Sequence, residues 1–218
     1  PTEMQDFDHS QWNHSVRPIT SGTCRLNRIT ISMMEKNGIP EAARVLSVAM
    51  LDNPLHVALF QGKDENVRLE IQNMFHKLFD EVPGIVFLAK DGPTLLGVMR
   101  MKSCDGRKAP DDAEEPPDEN DLNWRKTIWL REWAHHDPSD QHWHLGPIGV
   151  LPSHHGMGIG SKLMQRFCRE VDACRASAYL ETDLERNVRF YEKFGFEIVS
   201  RSAIFDVKNY YMVKASTA

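Results

Sequence analysis

Apolar and polar positions alternate from Arg28 to Met34, with Ile29, Ile31 and Met33 set against Thr30 and Ser32, and the pattern predicts a first strand. From Pro40 the period changes. Ala42, Val45, Leu46 and Ala49 fall at helical spacing, and Val67, Ile71, Met74, Phe75 and Leu78 form a longer apolar stripe. Two further strands are predicted over Ile85 to Lys90 and Leu95 to Lys102, joined by the turn sequence Asp91-Gly92-Pro93. The pattern then breaks: residues 111–121 carry seven acids and no Lys or Arg, the composition of a solvated loop. Trp124, Ile128 and Trp133, with Arg125, Lys126 and Arg131 between them, predict an amphipathic helix. That helix reads either as a lid over a cleft or as a cover packed on the sheet.

Regularity resumes at His142-Trp143-His144-Leu145 and Ile148-Gly149-Val150, a fourth strand closed by Pro152. Leu163, Met164, Phe167 and Val171 then recur at helical spacing, Ser177 to Asp183 reads as a fifth strand, and Glu197 to Val213 holds the last two. This order suits one mixed α/β sheet with helices on both faces. Residues 1–25 are polar and without period, an N-terminal extension, so a single domain is expected over 26–218 with an acidic insertion at about 103–141.

Bulk properties narrow the class. With 218 residues the chain can bury a full core. No apolar run approaches the ~20 residues of a membrane span, and no charged-then-apolar leader precedes the pattern, so a cytoplasmic protein off the membrane is expected. A net charge of −5 gives no basic footprint for nucleic acid. Cys24, Cys104, Cys168 and Cys174 lack paired metal spacing and read as free thiols. Six histidines fall between His135 and His155, but no cysteine joins them in sequence, so no metal site is expected.

Chemistry concentrates in His155-Gly156-Met157-Gly158-Ile159-Gly160-Ser161, a glycine-rich turn between the fourth strand and a helix. Glycines let backbone approach a ligand, and the first N–H groups of the helix remain free for an anion such as a diphosphate. The third glycine comes one residue too early for a dinucleotide fingerprint. Gly160-Ser161-Lys162 inverts the Gly-Lys-Ser/Thr order of a nucleotide-triphosphate loop.

The spacing resembles the pyrophosphate loop of the GNAT superfamily, the Gcn5-related N-acetyltransferases, with pattern Gln/Arg-x-x-Gly-x-Gly/Ala. His155 stands at the Gln/Arg place, Gly158 at the first glycine and Gly160 at the last. Leu180-Glu181-Thr182-Asp183, followed by Arg186-Asn187-Val188-Arg189-Phe190-Tyr191-Glu192-Lys193-Phe194-Gly195-Phe196, is similar to the family's second signature. Its wording looks most like the puromycin-acetyltransferase-like branch. The resemblance runs from about Gln141 to Met212.

It implies a mostly antiparallel central sheet with a splay between the fourth and fifth strands, and acetyl-CoA as cofactor. Backbone of Gly156 to Ser161 would hold the pyrophosphate, and backbone of Ile148, Gly149 and Val150 the pantetheine arm. Asn187 would also bond that arm, and Tyr191 would act as general acid. Bland readings stand beside these: Tyr191 as a core aromatic, Asn187 as an ordinary helix residue, and His155 as a surface residue on a loop whose backbone does all the holding.

The general base is open between His142, His144, Glu181 and Asp183. Relatives often carry Tyr at the His144 place. Glu181 is favoured because its position borders the expected acceptor cleft. No Cys or Ser in either signature suggests a covalent intermediate. The expected function is therefore direct acetyl transfer to a primary amine of a small molecule or peptide. The alternative is a non-catalytic acyl-CoA-binding module. Dimerisation through the last strands is a further expectation of the resemblance.

Overall fold

The computed structural model describes residues 28–106 and 121–216; the polar N-terminal stretch and most of the acidic run lie outside these residues. One seven-stranded sheet organises them, in the order β1-β2-β3-β4-β5-β7-β6. Its strands are β1 (Ile29–Met33), β2 (Ile85–Asp91), β3 (Thr94–Cys104), β4 (His142–Val150), β5 (Ser177–Thr182), β6 (Glu197–Ile204) and β7 (Val207–Lys214). All neighbours run antiparallel except β4 and β5, which are parallel. The mixed α/β plan read from the periodicity is the one observed.

Side chains of β2 sort by period two onto two cores. Val86 and Leu88 face α1 (Ile39–Met50) and α3 (Glu65–Glu81), joining Ala42, Ala43, Val45, Leu46, Ile71 and Phe75. Phe87 and Ala89 face α5 (Ile159–Ala173) and α6 (Glu185–Glu192), joining Leu163, Met164, Phe167, Val171, Val188 and Tyr191. Capping fixes where the polar-started helices begin: Asp64 accepts from Val67 N at 2.9 Å to open α3, and Asp121 accepts from Trp124 N at 2.9 Å to open α4 (Leu122–His136). Gly149 lets α1 lie directly on β4, since a Cβ there would meet Leu46 Cδ2 at 2.8 Å and Ala49 Cβ at 2.9 Å.

The helix α2 (Pro54–Phe60) is absent from the periodicity because its seven residues are too short to show a stripe. Its start is nonetheless chemically marked, with Asn53 as N-cap and Pro54 in the first turn. Trp129 and Trp133 of α4 pack with Leu55, Leu59 and Ile204, so this helix covers the sheet rather than standing over a cleft. No helix among the described residues is long and apolar enough to cross a membrane.

His56 sits inside this second layer, ringed by Phe60, Phe75 and Trp129. Its Nδ1–H donates to Asn53 Oδ1 at 2.9 Å, and burial holds its pKa down at about 4. The unfolded chain takes up that proton near 6.5 and the folded one does not. Stability is therefore full above pH 6.5 and falls as the pH drops towards 4, by on the order of 3 kcal/mol. Urea midpoints at pH 7 and pH 4.5 check this: His56→Gln should flatten the difference that the wild type shows.

Candidate active site

The sheet opens where β4 and β5 part. They are paired from His142↔Ser177 to Leu145↔Leu180 and no further. Beyond that point Ile148, Gly149 and Val150 remain bonded to β3, opposite Met99, Val98 and Gly97. Glu181 and Thr182 follow β7 instead, opposite Tyr211 and Tyr210. The second edge of β4 is thus available, over Ile148 to Val150, to an extended guest that bonds backbone as a strand does.

That edge leads into the glycine loop. After a single 3-10 turn (Pro152–His154) the chain passes through Gly156 and Gly158, each with φ of 76°. Such angles suit glycine and strain other residues. A Cβ on Gly156 would meet nothing within 4 Å, so the loop's outer face is open. Gly158 is the N-cap of α5 and no side chain caps it, which leaves first-turn N–H groups of Ile159, Gly160 and Ser161 for an anion. Met157 is half-buried and Ile159 buried against the core, so these two can offer the loop only their backbone. A Cβ on Gly160 would stand 3.6 Å from Phe190 Cζ, which seats α6 against the start of α5. Lys162 turns away, donating through Nζ to Ile29 O at 3.1 Å.

His155 is exposed, and its Nε2–H donates to Val150 O at 2.9 Å. The ring thereby ties the loop to the end of β4, and Nδ1 can donate to an anion only in the doubly protonated ring. His155→Ala removes one hydrogen bond, and calorimetry should show acetyl-CoA affinity weakened by about 1 kcal/mol. A loss of more than a hundredfold would mean that the imidazole carries the anion itself.

Two of the base candidates come together. His144 on β4 and Glu181 on β5 face each other across the opening, with Nε2 donating to Oε2 at 2.7 Å. Their side chains are 15% and 3% exposed. Burial alone would lower the His144 pKa, but the Glu181 carboxylate and the Cys104 thiol outweigh it and raise it to about 9. Asp183 is engaged elsewhere: it accepts from Leu55 N and Asn53 Nδ2, each at 2.8 Å, and so anchors the start of α2. His142 also points away from the opening, towards Asp137 and Asp140.

Tyr191 is buried, its ring packed on Phe190 and Phe196 at centroid distances of 5.4 and 6.2 Å. Burial, then the charges of Asp183 and Glu181, push its pKa upward, so the hydroxyl keeps its proton. Tyr191 is thus a core aromatic whose hydroxyl feels the charges of Asp183 and Glu181 at the end of β5. Asn187 Nδ2 donates to Thr182 Oγ1 at 3.3 Å, which places it at the end of β5 beside the opening.

Sequence reasoning missed Cys104 and Tyr179. Tyr179 is fully buried between the rings of His142 and His144, at 5.6 and 5.4 Å, with no hydrogen-bond partner for its hydroxyl. Cys104 lies opposite His142 on β3. Burial raises its thiol pKa, yet the two histidines overcome this and bring it to about 6. A cysteine does join the histidines, through strand register rather than sequence spacing.

Comparison with known proteins agrees with this geometry. The model of the acetyltransferase (GNAT) family matches residues 51–196, and the chain belongs to that family. Acetyl-CoA is the cofactor of its acetyltransferases. The structure entitled histone acetyltransferase HPA2 and related acetyltransferase, from Corynebacterium glutamicum, superposes with a TM-score of 0.66 at 17% identity, covering 88% of this chain and 98% of that one. A GNAT family acetyltransferase from Brucella melitensis in complex with acetyl-CoA gives 0.52 at 16% identity, covering 87% and 89%. The protein yncA from Salmonella typhimurium, with its cofactor acetyl-CoA, gives 0.55 at 13% identity, covering 87% and 95%. At these identities the likeness is one of fold.

Proposed function

We propose that this protein transfers an acetyl group from acetyl-CoA directly to a primary amine of a small molecule or peptide. The observation that carries the proposal is the buried His144–Glu181 pair, 2.7 Å apart, at the point where β4 and β5 separate. The opening fits the cofactor on three counts: a free strand edge at Ile148 to Val150, an uncapped helix start at Gly158, and a loop whose outer face is clear at Gly156. When bound, acetyl-CoA supplies an acetyl group activated as a thioester.

The chain's own residues supply the proton chemistry. An amine acceptor arrives as an ammonium and must lose a proton before it can attack. His144 takes that proton in its neutral form, which is the minor form at pH 7 because, against the lowering by burial, the Glu181 carboxylate raises the ring's pKa to about 9. Glu181 is a positioning residue, since it fixes the ring and balances the charge that the ring gains. Tyr191 holds a proton at Oη for the departing thiolate, and a hydroxyl that resists ionisation is suited to being a donor. Tyr191→Phe should therefore lower kcat by about 100-fold while leaving acetyl-CoA affinity within a few-fold. Steady-state rates beside a binding titration check the split; equal loss of both would make Tyr191 a packing residue.

Release of free coenzyme A thiol in the presence of a panel of primary amines, with mass spectrometry of the products, tests the function. Acetylated amine formed in step with thiol release supports it. Binding of acetyl-CoA without transfer to any amine would point to the non-catalytic module.

A further inference from the structure

Three residues that take no step in the transfer, although the Cys104 thiol lies beside His144, converge where β3, α4 and β4 meet. Cys104 closes β3, Asp137 caps the C-terminal end of α4, and His142 opens β4. One donor atom from each lies within 4.8 Å of the other two. Cys104 and His142 are register partners across β3 and β4, so the sheet itself sets their spacing. Cys104 and Asp137 are partly buried, the Asp137 side chain being 28% exposed.

His142 is the informative member. Its side chain is 1% exposed, and its Nδ1–H donates to Asp140 O at 2.8 Å. This fixes the ring so that Nε2 points at the other two residues, where it forms an ion pair with Asp137 when protonated and offers a lone pair once a metal ion replaces that proton. Nε2 lies 3.2 Å from Asp137 Oδ1, but the two are not aligned as a hydrogen bond. Both atoms are buried without a hydrogen-bond partner. A buried ring nitrogen aimed at a carboxylate and a thiol, with its ring oriented by a backbone carbonyl, is the arrangement of a metal-ligating histidine and its outer support.

We propose that Cys104, Asp137 and His142 bind a divalent ion of the zinc class, with water completing the tetrahedron, and that this ion staples the two ends of the 105–141 segment. A thiolate, an imidazole and a carboxylate together select zinc or cobalt over magnesium or calcium, which take oxygen ligands. Bonds of about 2.0–2.3 Å place tetrahedral ligands roughly 3.3–3.8 Å apart, and the 3.2 Å between His142 Nε2 and Asp137 Oδ1 is already close to that spacing. His144 stands outside the set: its Nε2 is held by Glu181, and the ligand atoms that converge are those of Cys104, Asp137 and His142. The ion neutralises the thiolate and the carboxylate and fixes α4, whose Trp129 and Trp133 pack against α2 and the end of β6.

The test uses the full chain, stripped with a chelator, kept reduced by a phosphine and titrated with Co²⁺. One equivalent should produce tetrahedral visible bands and a near-ultraviolet thiolate-to-cobalt charge-transfer band, both displaced by Zn²⁺. The charge-transfer band should be lost in Cys104→Ser and weakened in Asp137→Asn. Zn²⁺ should raise the melting temperature of the wild type but not that of Cys104→Ser. Wild-type protein that shows no saturable Co²⁺ spectrum overturns the proposal, whatever the variants do. A band that persists in Cys104→Ser also overturns it, because another thiol would then be the ligand. None of these readings depends on acetyl transfer.

Discussion

Replacing His144 by Gln should lower kcat/KM for acetyl transfer by about 10²–10⁴, the range for loss of a positioned base. Acetyl-CoA affinity should stay within a few-fold, because the loop at Gly156 to Ser161 and the edge of β4 are untouched. The argument rests on geometry. His144 lies on the last paired stretch of β4 before the strands part, and its Nε2 is held at 2.7 Å by a carboxylate that is 3% exposed. Glu181→Gln keeps a hydrogen-bond acceptor but removes the balancing charge, so a smaller loss follows from it than from His144→Gln. Measuring both variants against the same amine ranks them. If Glu181→Gln were the more damaging, the carboxylate would be the base and His144 its support.

The second large effect is on stability. Phe167 lies on the buried stripe of α5, fully excluded from solvent and stacked on Phe196 at 6.3 Å. Its ring joins α5 to the chain that follows α6, in the same core that holds Phe87 and Met99. Phe167→Ala removes that ring and leaves a cavity, at a cost of about 3–5 kcal/mol. Chemical denaturation should show a lower midpoint with little change in slope. Since α5 carries the glycine loop at its N-terminus, acetyl-CoA should restore part of the lost stability by binding the folded state alone. An unchanged midpoint would mean that neighbouring side chains refill the space.

The stretches most legible in the sequence are those whose requirements are local. Gly156 and Gly158 were readable because a positive φ calls for glycine at that spot, whatever the rest of the chain does. The stripe Leu163, Met164, Phe167 and Val171 was readable because one helix face meets one core. Contacts set by register were not readable. His144 and Glu181 are 37 positions apart, and only the parallel pairing of β4 with β5 brings them to hydrogen-bond distance. Cys104 and His142 meet across the acidic excursion, so spacing in the chain said nothing of their pairing across strands. The part played by Asp183 was hidden for the same reason, since its partners Asn53 and Leu55 belong to a helix too short to show a period.

The central claim is that acetyl-CoA is held by the parted strands and the uncapped start of α5. Calorimetric titration of the purified chain with acetyl-CoA, beside NAD and ATP, tests it most directly. The account predicts one saturable site for acetyl-CoA, with neither nucleotide competing for it at similar concentration. Equal binding of all three, or no binding of acetyl-CoA, would contradict it.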